Sequence, residues 1–178
     1  MDRAARMFLI EAAMGLLAGL VATQATNLAQ KPLGRMTPER VKRRERRVGP
    51  GDTSSAVAAE RVAGRLGLSR GGRRMERLGK AVHFGTGMAW GPVYGLLQRH
   101  AGLRPVGAGL ATGAAMSLVL DEGLVPALGL SAPNGDYPLP THVRGLAAHL
   151  VFGAAAALTA EAAYRLTDTG PGSLRAGM

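Results

Sequence analysis

Five side chains carry most of the chemistry this chain can offer: His83, Asp121, Glu122, His142 and His149. Each lies in or beside a long apolar stretch, where an ionisable group is expensive to bury and is a functional candidate for that reason. Imidazole together with carboxylate suits a zinc- or iron-like divalent metal, and the same groups can relay protons. Their spacing is not a dedicated ligand pattern such as HExxH, so no particular metal is named. The competing reading is plainer. Asp121 and Glu122 then sit at a water interface, His142 lies in a loop, and His83 and His149 hydrogen-bond to neighbouring helices. In an antiparallel bundle all five fall towards the same end, which is the argument for a shared polar cluster.

Other chemistries drop out. The chain has no cysteine, which excludes disulfides, thiolate metal sites, iron–sulfur clusters and cysteine nucleophiles. No serine has the base-and-elbow context of a hydrolase, and neither a P-loop nor a dinucleotide fingerprint is present. The sequence assigns no catalytic residue and names no cofactor, and it reads as a non-enzyme. It is silent on bound pigments, quinones or lipids.

The elements that must position these residues are apolar runs. Residues 7–30, 79–98, 105–125 and 143–166 are each close to the roughly 20 residues that span a bilayer core. The expected fold is therefore all-α: a single membrane domain, 1–178, built as an integral four-helix bundle with a basic, partly amphipathic loop at 31–77. Arg3 and Arg6 ahead of the first run also resemble the start of a signal peptide. Pro105 suits a first helical turn, Pro92 is a candidate kink, and Pro126 is expected to break the third span. Asn134-Gly135 then marks a turn.

Small residues recur at fours along these runs. Gly15 and Gly19 form one pair, His83, Gly87, Gly91 and Gly95 one face, Gly109 and Gly113 another pair, and Gly145, His149 and Gly153 a second face. Residues four apart stack on one side of a helix, and small ones let a second helix approach closely in a bilayer. Gly15, Gly19, Gly87, Gly91, Gly95, Gly109, Gly113 and Gly153 are thus expected at helix contacts.

Charge is concentrated in one place. Residues 31–77 hold fourteen of the 22 Lys and Arg against five acids, so nearly all of the +10 net charge belongs to them. The mean hydropathy of +0.07 averages over two unlike populations. Arg43, Arg44, Arg46 and Arg47 form the densest run and are expected to face anionic lipid. Nucleic acid is disfavoured, because no aromatic interleaving, helix-turn-helix or zinc site accompanies the run. Gly49, Pro50 and Gly51 should end it as a hinge. Thr53–Leu68 then reads as an amphipathic helix capped by Asp52 or Thr53, with Val57, Ala59, Val62, Ala63 and Leu66 on its apolar face. By the positive-inside rule this loop is cytoplasmic, which puts both termini on the outer side of a bacterial inner membrane.

The residues quoted so far, GLLAGLVAT, AVHFGTGMAWGPVYGLL, DEGLVPALGL and YPLPTHVRGLAAHLVFG, together resemble the YagU-like family of small bacterial inner-membrane proteins. The resemblance runs roughly from Gly15 to Tyr164. It implies a multi-helix inner-membrane protein and brings no substrate or catalytic residue.

Three function classes remain open at this point: an accessory membrane protein, a small transporter or proton- or metal-handling protein, and a membrane enzyme. The glycine faces favour the first, with packing against itself or a larger complex and with lipid as the other partner. The alternative is a small transporter, channel or proton- or metal-handling protein that uses the His/acid cluster.

Overall fold

A chain that buries its backbone in lipid must satisfy each peptide group internally, and the apolar runs of this protein do so as helices. The computed structural model describes residues 3–49, 51, 53–68 and 72–167, and among these the chain is all-helical with no strand. The order is α1 (Arg3–Met36), α2 (Glu39–Val48), α3 (Ser54–Arg65), α4 (Gly72–His100) and α5 (Pro105–Met116). A π-helical segment (Ser117–Leu124), α6 (Val125–Ala127), a 3-10 turn (Asn134–Asp136) and α7 (Leu139–Thr167) complete it. Helix α1 packs against α4 and α7, α5 against α7 and α4, and α3 against α4.

Among the described residues, three stretches are long and apolar enough to cross a membrane: Phe8–Met36, Pro105–Ala127 and Leu139–Leu166. Their outward side chains are large and apolar, as Phe8 (69 % exposed), Val106 (72 %) and Leu158 (74 %) illustrate. Helix α4, which carries His83, Pro92 and several glycines, is long enough but is not among these three.

Several boundaries differ from the sequence expectation. Helix α1 runs through Pro32 to Met36, and α4 begins at Gly72, so both ends of the basic segment are helical. Its middle forms α2 and α3. Thr53 caps α3 by accepting the Ala56 N–H at 3.3 Å; Asp52, Pro50 and Arg70 lie outside the described residues, as does the chain after Thr167. Ala59 and Ala63 are fully buried beneath α3, whereas Val62 and Leu66 are exposed. The Pro105–Ala127 stretch runs one residue past Pro126 before it ends, and Gly129 follows with a φ of 64° that few other residues adopt. Helix α7 starts at Leu139, so His142 stands in its first turns rather than in a loop.

Two seams of glycine hold the long helices together. On the α1–α4 seam, a Cβ at Gly15 would come within 2.9 Å of the Pro92 backbone, one at Gly19 within 2.8 Å of Met88 Cα, and one at Gly91 within 2.7 Å of Gly19 N. A Cβ at Gly87 would fall on the Thr23 hydroxyl. On the α5–α7 seam, Gly109 and Gly153 meet backbone to backbone, and Gly113 lies against the His149 carbonyl. Gly95 is looser, 3.3 Å from the Tyr164 hydroxyl by the same measure. Between the seams, Met14, Ala18, Tyr94, Ala108, Ala157, Ala160 and Tyr164 form one buried cluster, and Ala22, Met116, Phe152 and Ala156 a second.

Candidate functional site

The antiparallel order of α1, α4 and α7 brings the end of α1, the early part of α4, the π segment and the start of α7 to one end of the molecule. All five sequence candidates lie there, joined by Asn27 and Asn134. His149 Nε2 pairs with Asp121 Oδ2 at 2.9 Å. His142 Nδ1 meets Glu122 Oε1 at 2.7 Å, and its Nε2 is 3.2 Å from the Asn134 carbonyl. His83 pairs instead with Asn27, Nε2 to Oδ1, at 3.0 Å. The five are therefore two histidine–carboxylate pairs and one histidine–amide pair. Among the described residues no group of three or more His, Asp or Glu is arranged to hold a metal ion.

The π segment sets this arrangement. A wider turn is uncommon inside a helix and is frequent at functional sites. Here it carries Asp121 and Glu122, and the two adjacent acids reach histidines seven residues apart on α7. A proline at 126 supplies no N–H to the preceding turn. The Asn134 side-chain amide donates to the Glu122 carbonyl at 2.8 Å, tying the 3-10 turn to the π segment. Gly145 leaves room for the carboxylate: a Cβ there would be 3.2 Å from Asp121 Oδ2.

A cavity of about 1150 Å³ opens at this end, with Thr23, Gly87, Met116 and Phe152 at its deep part. Higher up it is lined by Thr26, Asn27, His83, Thr86, Asp121 and His149. Helix α3 covers one side through Ser54, Ser55, Ala56 and Glu60, and Arg61 fixes that cover by donating to the carbonyls of Leu128 and Gly129, the latter at 2.7 Å. At the mouth, Lys80 Nζ lies 2.5 Å from Glu76, and this hydrogen bond and charge hold the Glu76 carboxyl below its ordinary range. Beyond Phe152 the glycine seams and the Tyr94–Tyr164 cluster close the bundle.

A second, smaller hollow of about 530 Å³ adjoins the first; Asp121 and Gly145 line both. It is built around a clamp the sequence gave no sign of. Glu45 on α2 forms an ion pair with Arg144 Nη2 at 2.9 Å and accepts hydrogen bonds from Arg144 Nη1 at 3.3 Å and the Thr141 hydroxyl at 2.5 Å. Arg144 also donates to Thr37 Oγ1 at 3.1 Å. The clamp fastens α2 across the start of α7 and leaves Arg43, Arg44, Arg46 and Arg47 exposed on its outer side.

The opposite end has its own polar layer. Glu11 on α1 pairs with Arg99 on α4, and Glu161 on α7 accepts from the Tyr94 hydroxyl at 2.8 Å and from Gln98 Nε2 at 2.7 Å. Lone charges within apolar runs were the available sign: Glu11 and Glu161 each stand nearly alone in one. Comparison of the chain with protein-family models, with curated proteins and with solved structures finds no match.

Proposed function

We propose that this chain is a four-span membrane protein that holds a small ligand in the cavity beneath α3, as a carrier or receptor rather than as an enzyme. The observation that carries the reading is the cavity itself. Polar groups inside membrane-length helices are costly and are kept where they line a site or path. Here Thr23, Thr26, Asn27, His83, Thr86, Asp121 and His149, from α1, α4, the π segment and α7, converge on one hollow. This reading counts α4 as the fourth span, because its Gly87 and Gly91 interlock with α1.

The basic helix α2 supports placement of the cavity mouth on the cytoplasmic side of a bacterial inner membrane, with its arginines against anionic headgroups. The resemblance to YagU-like proteins agrees with that placement and adds no ligand. An accessory role through the glycine faces is the weaker reading. Seven of the eight glycines meet a backbone or side chain of their own chain so closely that an added Cβ would collide, so those faces are already occupied.

Single-cysteine labelling tests the cavity, and the cysteine-free chain makes it simple. Thr86→Cys, on the cavity wall, should react with a small polar maleimide in folded protein. Thr112→Cys, at a position with 0 % exposure between α5 and α7, should not. Equal protection of both positions would refute an open cavity.

A further inference from the structure

The hydrogen-bonding inventory of the cavity is one-sided. Thr23, Thr26 and Thr86 each donate their hydroxyl hydrogen to their own helix, to the carbonyls of Gly19 (2.7 Å), Ala22 (2.9 Å) and Val82 (2.8 Å). What they show the cavity is lone pairs. The Asn27 amide directs its Nδ2 to Gln24 Oε1 at 3.4 Å, so its Oδ1 faces His83. An amide oxygen only accepts, so His83 Nε2 is the donor in that bond and the neutral ring keeps its lone pair on Nδ1. His149 Nε2 lies 2.9 Å from the Asp121 carboxylate. Its Nδ1 is buried and has no partner.

The deeper wall is therefore rich in acceptors, with hydroxyl lone pairs and the Asp121 carboxylate, and Glu60 and Glu76 add two further carboxylates to the lining. Of the donors in the lining, Lys80 is engaged by Glu76 and Thr53 and Ser55 share a hydrogen bond, while Gln30 and Ser54 also border the cavity. A buried acceptor without a donor costs free energy that a ligand can recover. A ligand that brings hydrogen-bond donors and positive charge completes this wall; an anion meets the carboxylates of Asp121, Glu60 and Glu76. Met116, Leu120 and the Phe152 ring line the same hollow, and an aromatic face attracts a cation.

Resting on the proposed binding role, we infer that the cavity takes a protonated primary amine with an apolar body, its ammonium among Asp121, His149 and Thr86 and its body against Met116, Leu120 and Phe152. The test is calorimetric titration of the detergent-purified full chain with four probes of one shape. These are 2-phenylethylammonium, its N,N,N-trimethyl form, 2-phenylethanol and 3-phenylpropanoate. The primary ammonium should bind at least tenfold more tightly than the trimethyl form, which keeps the charge and loses the N–H donors, and than the alcohol. The carboxylate should bind weakest.

Asp121→Asn should cost the ammonium at least tenfold in affinity and leave the alcohol unchanged. Thr86→Val, which keeps the side-chain shape, gives a second readout if the asparagine variant does not fold; it should weaken the ammonium several-fold. Binding of the alcohol or the carboxylate as tight as that of the ammonium would overturn the amine assignment and keep the cavity as a binding site. Binding of none of the four would overturn both.

Discussion

Replacing Gly91 with alanine places a methyl group where α1 and α4 touch backbone to backbone. The added carbon would lie 2.7 Å from Gly19 N and 2.8 Å from the Gly15 carbonyl carbon, and it would overlap the Gly15 oxygen. None of these atoms belongs to a flexible side chain, so relief requires the two helices to separate. Overpacking of this kind costs about 1–3 kcal/mol, and a backbone-on-backbone clash belongs near the upper end. Alanine also gains about 1 kcal/mol over glycine as a helix former. Net destabilisation of about 2 kcal/mol is expected. Gly85→Ala on the same helix is the control, because nothing lies within 4 Å of its added carbon. That variant should gain up to about 1 kcal/mol. The two share the propensity term, so they differ by the overpacking term alone, about 3 kcal/mol. Equilibrium unfolding in mixed detergent micelles measures the difference. If Gly91→Ala proves as stable as Gly85→Ala, the α1–α4 seam is not where it is drawn.

Three further outcomes follow from single contacts. Glu45→Ala leaves Arg144 without its carboxylate in a half-buried site and should cost about 2 kcal/mol; protease cleavage between α2 and α3 should accelerate while the long helices stay intact. Asn134→Ala strips the Glu122 carbonyl of its donor, which should cost about 1–2 kcal/mol and speed amide exchange in Ser117–Leu124 before any other element. Thr53→Ala removes the cap of α3 and should cost about 1 kcal/mol; exchange should rise in α3 alone, and exchange spread evenly over the chain would count against a local cap.

The parts of this fold legible in the sequence are those carried by local patterns. Uninterrupted apolar runs place α1, the Pro105–Ala127 stretch and α7, and a threonine before an amphipathic run places the start of α3. Glycines four apart mark faces, although spacing alone does not say whether such a face meets its own chain or another. The features that depend on which residues meet across the bundle were not legible. Glu45 reads as one acid in a basic run until α7 brings Arg144 to it. The π segment shows its two acids in the sequence but gives no local signal of its wider turn, and its tie to Asn134 appears only in the fold. The five candidate side chains were found by type, because charge inside an apolar run is rare. Their division into separate pairs, with Asn27 as the partner of His83, depends on helix register, which residue spacing does not encode.

The central claim is that α4 crosses the membrane and that the cavity opens on the side of the basic helix. Three single cysteines test it in sealed vesicles of one orientation: Arg44→Cys on α2, Thr86→Cys on the cavity wall, and Leu103→Cys in the connection between α4 and α5. A membrane-impermeant maleimide is added to one face at a time. Positions 44 and 86 should label from the same face and position 103 only from the other. Labelling of 44 and 103 from the same face would show that α4 does not cross, and labelling of 86 from the face of 103 would show that the cavity opens the other way.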